Sequence, residues 1–236
     1  MPESAKRKYG RVLGMAAIAL VGAGLLYAHA LFYGDKAQAR ECYRIGDYAR
    51  AQKFFERAID KHPSDFEARY GYALAMQELA LAKKVLGEDE VSDWLDVVKA
   101  YEISSKVGSS PSQSPNHAFA LFHLSNKLYQ LKNYGQAREY LKLARSVEPR
   151  NKYVLNLAGI VSYKSGEYGE AQQTLEYLLA IDPDFISAYL NLGNVLWESG
   201  EAEAALVTWK QGLGRSPGNG ALIQRMDLAV KKIGAQ

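Results

Sequence analysis

The sequence predicts an all-α chain: an N-terminal transmembrane helix followed by an α-solenoid of about five helix hairpins and a C-terminal capping helix. Three observations predict it. Val12 to Phe32 contains no Asp, Glu, Lys or Arg, the C-terminal half repeats with a period of 34 residues, and apolar residues rarely alternate with the period of two that marks strands.

Composition narrows the function classes. The 236 residues are 48% apolar and 23% charged, a globular balance that argues against disorder over most of the length. A net charge of +3, evenly spread after the first eleven residues, is too weak to form the basic stripe of a nucleic-acid binder. Cys42 is the only cysteine, so a disulfide framework, a zinc spacing and a CxxC redox pair are all excluded.

Residues 1–11 form a basic flank carrying Lys6, Arg7, Lys8 and Arg11. Residues 12–32 would span roughly 31 Å as a helix, about the thickness of a bilayer core. Tyr27, Phe32 and Tyr33 would form an aromatic belt at one interface, and Tyr9 would lie at the other. The basic flank predicts a single-pass protein of the bacterial cytoplasmic membrane, N-terminus in the cytoplasm and repeats in the periplasm, although Lys36, Arg40 and Arg44 on the other flank keep the bias modest. The alternative is a cleaved signal peptide, because Ala28-His29-Ala30 has the small-x-small form of a cleavage site. Gly10 and Gly14, Ala19 and Ala23, and Gly24 and Ala28 are spaced to put small faces along the segment. They suit close packing on a partner helix, or simply reflect the abundance of Gly and Ala in membrane helices.

The repeat is read from columns in phase. Pro149, Pro183 and Pro217 share the 34-residue step with Ala137, Ala171 and Ala205, with Gly159 and Gly193, and with Gly166 and Gly200. Each unit reads helix, short turn, helix, proline stop, as in Ala188 to Asn194, then Glu198-Ser199-Gly200, then Ala205 and Trp209, ending at Pro217. This pattern resembles the tetratricopeptide-repeat (TPR) family over nearly all of residues 33–219. The resemblance implies that small Gly193 and Ala205 let the two helices of a hairpin touch, that Trp209 fills the gap to the next hairpin, and that Pro217 ends the second helix.

The repeats are expected at 33–65, 66–110, 118–151, 152–185 and 186–219, with a linker at 111–117 and a capping helix at 220–236. The first repeat shows Gly46, Tyr48, Ala51, Phe55, Ala58 and Pro63 in the expected columns. The second is irregular: helices are expected near 65–82 and 91–106, with extra residues in a long turn around Lys83 to Asp93 and in the Ser/Pro-rich exit from Ser109 to Pro115. In the cap, Leu222, Met226 and Val230 are expected to face inward and Arg225, Lys231 and Lys232 outward, covering the apolar face of the last hairpin.

The resemblance also implies that first helices line a concave groove. The positions that face it are Lys36, Arg40 and Tyr43; Tyr70, Leu74 and Gln77; Phe119, Phe122, Asn126 and Tyr129; Tyr153, Asn156, Ile160 and Tyr163; and Leu190, Asn194 and Trp197. Exposed rings among side-chain amides suit a peptide, although rings at these positions also pack against neighbouring hairpins. The carboxylate clamp of some TPR co-chaperones does not map: Asn126 fits one position, but Phe122, Ser187, Asn191 and Leu157 occupy the others. The acidic run Glu88-Asp89-Glu90 reads as a solvated loop or as a contact for a basic partner.

No chemistry emerges. The histidines at 29, 62, 117 and 123 lack HExxH spacing, and GxSxG, P-loop and dinucleotide motifs are missing. No catalytic, cofactor or metal site is expected, and the chain is not expected to be an enzyme. The expected function is a membrane-anchored scaffold, a subunit or assembly factor of a membrane complex, contacting other proteins and, through residues 12–32, lipid, but not nucleic acid. The alternative is a chaperone-like receptor for unfolded or translocating polypeptides.

Overall fold

The computed structural model describes residues 34–108 and 115–233, all of whose regular structure is helical. The helices are α1 (34–44), α2 (Tyr48–Lys61), α3 (Phe66–Leu86), α4 (Val91–Val107), α5 (Pro115–Gln130), α6 (Tyr134–Val147), α7 (Lys152–Lys164), α8 (Tyr168–Ile181), α9 (Ile186–Glu198), α10 (Ala202–Arg215) and α11 (Gly220–Ile233). They divide into two compact units. The first holds α1–α3 and the end of α4 from Ala100; the second holds the start of α4 through Lys99 and then α5–α11.

Local chemistry explains the boundaries. Asp47, Asp65, Asn133 and Asn151 cap α2, α3, α6 and α7 by accepting from backbone N–H groups in the first turn. The residues before proline, His62, Glu148, Asp182 and Ser216, close α2, α6, α8 and α10 with ψ of 80°, 79°, 84° and 81°. Proline crowds the preceding residue out of the helical region, which is why the column of prolines sets the repeat length. The tight turn inside each regular hairpin needs one left-handed residue: Gly46, Gly166 and Gly200 supply it at φ 83°, 81° and 91°, and Lys132 holds the same column at φ 60°.

Packing follows the columns. Ala51, Ala137, Ala171 and Ala205 are all fully buried, letting second helices lie close to first helices. Where a Cβ on Gly193 would stand, the Trp209 indole already sits, and its Nε1–H donates to the Leu190 carbonyl at 3.3 Å. Trp209 therefore fills its own hairpin, because only a glycine leaves room for an indole between α9 and α10, and it also shares a core with Leu222 and Ala229 of α11.

Other expectations change. No helix among the described residues is long and apolar enough to cross a membrane. The expected single-pass, periplasm-facing placement is therefore withdrawn; even the 21-residue α3 carries Glu67, Arg69, Glu78, Lys83 and Lys84. The segment 12–32 and its small residues Gly10, Gly14, Ala19, Ala23, Gly24 and Ala28 lie outside the described residues. The long turn of the second repeat is mostly helix: α3 continues to Leu86 and stops at left-handed Gly87, leaving only Gly87 to Glu90 before α4. Pro115 to His117, assigned to the linker, open α5, because proline suits the first helical position, where an N–H has no partner anyway. In the cap, Leu222 and Ala229 are buried whereas Val230 is 59% exposed, so the inward stripe runs 222, 226, 229 at helical spacing.

The acidic turn is partly internal. Asp89 accepts from Trp94 Nε1 at 3.1 Å and pairs with Lys127 at 3.2 Å. Trp94 is fully buried and stacks on His123 with centroids 4.5 Å apart, joining the start of α4 to α5. This one residue of the run serves the fold.

Candidate functional site

In the first unit, α1 and α3 bring several of the expected groove residues to one place. Arg40 and Tyr43 from α1 and Tyr70 and Leu74 from α3 line a largely apolar depression of about 500 Å³ with Arg44, Phe55, Glu67 and Gly71. Its polar rim is internally matched, since Arg40 pairs with Glu67 and Arg44 with Glu41 at 2.6 Å. Lys36 pairs with Asp65 at 2.6 Å, which raises its pKa, and reaches Glu67 at 3.4 Å. Tyr70 stacks on Phe66 at 5.7 Å and meets Tyr101 at 5.8 Å, so part of its ring supports the fold. Gln77 is buried and accepts from the Tyr101 hydroxyl at 2.9 Å, which removes it from any groove. Burial, and then Glu78, push the Tyr43 phenol above its ordinary pKa, keeping it a neutral donor.

In the second unit, Tyr163, Asn194 and Trp197 meet in a smaller cavity of about 180 Å³ with Glu198, Trp209, Arg225, Leu228 and Ala229. Three of these residues come from the cap, which therefore furnishes a wall of the cavity as well as covering the last hairpin. Burial, and then Glu198, raise the Tyr163 pKa. Trp197 lies 5.9 Å from Trp209, tilted by 34°.

The remaining expected residues are more dispersed. Phe122 is half-buried with its ring edge on His123 at 5.2 Å, and Phe119 is 37% exposed beside the same imidazole. Asn126 and Ile160 are half-buried. Asn156 accepts from Asn191 at 2.9 Å, so this amide joins α7 to α9. Tyr153 is 58% exposed, set against Phe185 at 5.9 Å. Leu190 is half-buried and gives its carbonyl to Trp209.

A regularity missed in the sequence explains several rings. Tyr43 meets Tyr48 at 5.2 Å, Tyr129 meets Tyr134 at 5.8 Å and Tyr163 meets Tyr168 at 5.9 Å, each pair spanning the turn of a hairpin. The spacing of five residues in all three pairs was the available signal. Phe55 and Glu67 in the first unit, and Arg225 and Leu228 in the second, were also missed, because they lie outside the first-helix stripe used to find the groove.

These stacked hairpins with their small-residue seams define the chain as a helical-repeat protein, and two stretches of it are tetratricopeptide repeats. Residues 36–76 and 162–226 each match the Tetratricopeptide repeat family. The chain is similar to a probable UDP-N-acetylglucosamine–peptide N-acetylglucosaminyltransferase of Arabidopsis thaliana, 28% identical over 125 residues that make up 49% of this chain and 13% of the relative. It is also similar to Protein FlbA of Caulobacter vibrioides, 25% identical over 221 residues, 82% of this chain and 35% of the relative. The chain thus spans about a third or less of the length of the curated relatives it matches. Among solved structures, YrrB, described as a TPR protein with an unusual peptide-binding site, aligns with a TM-score of 0.59 at 17% identity, covering 80% of this chain and 88% of that one. That likeness is one of fold. Among the described residues, no group of histidine, cysteine and carboxylate side chains is placed to hold a metal ion.

Proposed function

We propose that this chain is a protein-interaction scaffold that holds a segment of a partner protein against the first helices of its hairpins. The observation that carries this reading is the convergence of Arg40, Tyr43, Tyr70 and Leu74 on one apolar depression of about 500 Å³, a size and lining that suit the anchoring side chains of a peptide. The rim ion pairs satisfy one another, so the floor selects apolar rather than charged anchors. YrrB, with its peptide-binding site, offers a precedent on a similar fold.

The test is to pan a displayed random-peptide library on the immobilised full chain and to measure enriched peptides by calorimetry. Leu74→Glu, which places a carboxylate on the apolar floor, is expected to weaken them roughly tenfold or more while the helical signal is retained. Enriched peptides that bind this variant as tightly as the parent chain would remove the depression from the proposal. Co-purification of a partner in fixed ratio is the result expected of a subunit or assembly factor. Heterogeneous, substoichiometric clients are the result expected of a chaperone-like receptor.

A further inference from the structure

The second helices of the regular hairpins share one set of columns, and α6 fills one of them differently. Ile59 in α2, Leu179 in α8 and Leu213 in α10 are half-buried apolar side chains packed against the hydrophobic cores. In α6 the same column holds Arg145, also half-buried. An arginine there forgoes apolar burial that the other hairpins use, so the fold alone does not account for it. Three residues earlier stands Lys142, in a column that α2 and α8 fill with Glu56 and Glu176 and α10 with Lys210.

These two cations line a depression of about 400 Å³ between α6 and α8, with Ser146, Pro149 and the 42% exposed Tyr177. Lys142 pairs with Glu139 on its own helix, at 3.2 Å, an exposed contact that a ligand carboxylate can readily exchange. Among the described residues, no carboxylate stands within ion-pairing distance of Arg145.

We propose that this depression docks an acidic, carboxylate-rich segment of a partner protein. The charge of the site names the occupant: the Arg145 guanidinium receives a carboxylate through two parallel hydrogen bonds, and Lys142 adds a second positive charge. Tyr177 and Pro149 form an apolar shelf for a flanking side chain of the same segment. The site uses none of the first-helix residues of the proposed groove, so it stands or fails independently of that reading.

Fluorescence anisotropy on the full chain tests it, using a fluorescein-labelled glutamate-rich peptide with one phenylalanine and its glutamine counterpart. The glutamate peptide is expected to bind, the glutamine peptide not, and added salt is expected to weaken the complex. Arg145→Leu restores the residue type of the other hairpins, so it should melt at or above the parent temperature while losing roughly tenfold or more in affinity. Lys142→Gln should lose roughly threefold. Equal binding of the two peptides, or full affinity in both variants, overturns the proposal.

Discussion

Two tryptophans show how differently the regular and the irregular parts of this chain are held. Trp209, in the hairpin α9–α10, is seated by an absence: Gly193 opposite it has no side chain, and the indole occupies that space. Trp94, at the start of α4, is seated by added contacts: a stacked His123 and an Asp89 carboxylate that accepts from its ring nitrogen and pairs with Lys127. Both rings are almost completely buried, at 2% and 0% exposure. The first arrangement belongs to a column, since Gly159 likewise faces Leu175 at 2.6 Å from where its Cβ would be. The second depends on a turn with no counterpart in the other repeats. A repeat can therefore be held by shape alone, whereas an irregular insertion needs individual polar contacts.

The largest expected effect probes the seat made of space. Trp209→Ala should cost about 3–5 kcal/mol in urea unfolding by removing a buried indole. Gly193→Ala should cost about 1–3 kcal/mol in the parent chain, where its methyl meets the ring. In the Trp209→Ala background the same change should stabilise by up to ~1 kcal/mol, because alanine is the better helix former once the clash is gone. Additive effects would mean that the two positions do not share a contact.

The polar seat gives a smaller, pH-dependent effect. Burial raises the Asp89 pKa, but the hydrogen bond from Trp94 and the charge of Lys127 lower it further, leaving it below the ordinary carboxylate value. A depressed carboxylate contributes stability that is complete above its unfolded pKa of about 4 and is lost as pH falls through the folded value. Asp89→Asn should cost about 1–2 kcal/mol at neutral pH and flatten the acid limb of the stability profile. Identical acid limbs in the two proteins would show that Asp89 is not the group that titrates there.

The smallest effect concerns the turn column. Lys132 adopts a left-handed backbone that Gly46, Gly166 and Gly200 adopt without strain. Lys132→Gly should therefore stabilise by about 0.5–1 kcal/mol, visible as a modest rise in melting temperature. A fall instead would mean that the greater flexibility glycine gives the unfolded chain outweighs the relieved strain.

Much of the fold was legible because a repeat shows the same physical constraint several times. The proline column marked the ends of second helices, the alanine column marked close contacts, and the period located the hairpins. The candidate site was legible in position but not in role. First-helix spacing brought Tyr43, Tyr70 and Leu74 to one depression and Tyr163, Asn194 and Trp197 to another. It did not reveal that Asn156 is engaged by Asn191, or that three tyrosines rest on a second tyrosine across the turn. Those contacts depend on which side chains reach one another, and a column states only which way each one starts.

By itself the sequence determined the helical class, the hairpin period, the breaks at proline and glycine, and the small residues along the seams. Each of these is a local rule of backbone geometry or side-chain size, and so each is written residue by residue. Only the tertiary structure decided that Asp89 turns inward, that Ala229 rather than Val230 meets the core, and that Arg225 and Leu228 of the cap wall a cavity. Those outcomes rest on contacts between segments far apart in the chain, where the winning arrangement is set by the space and charge that a neighbouring helix leaves available.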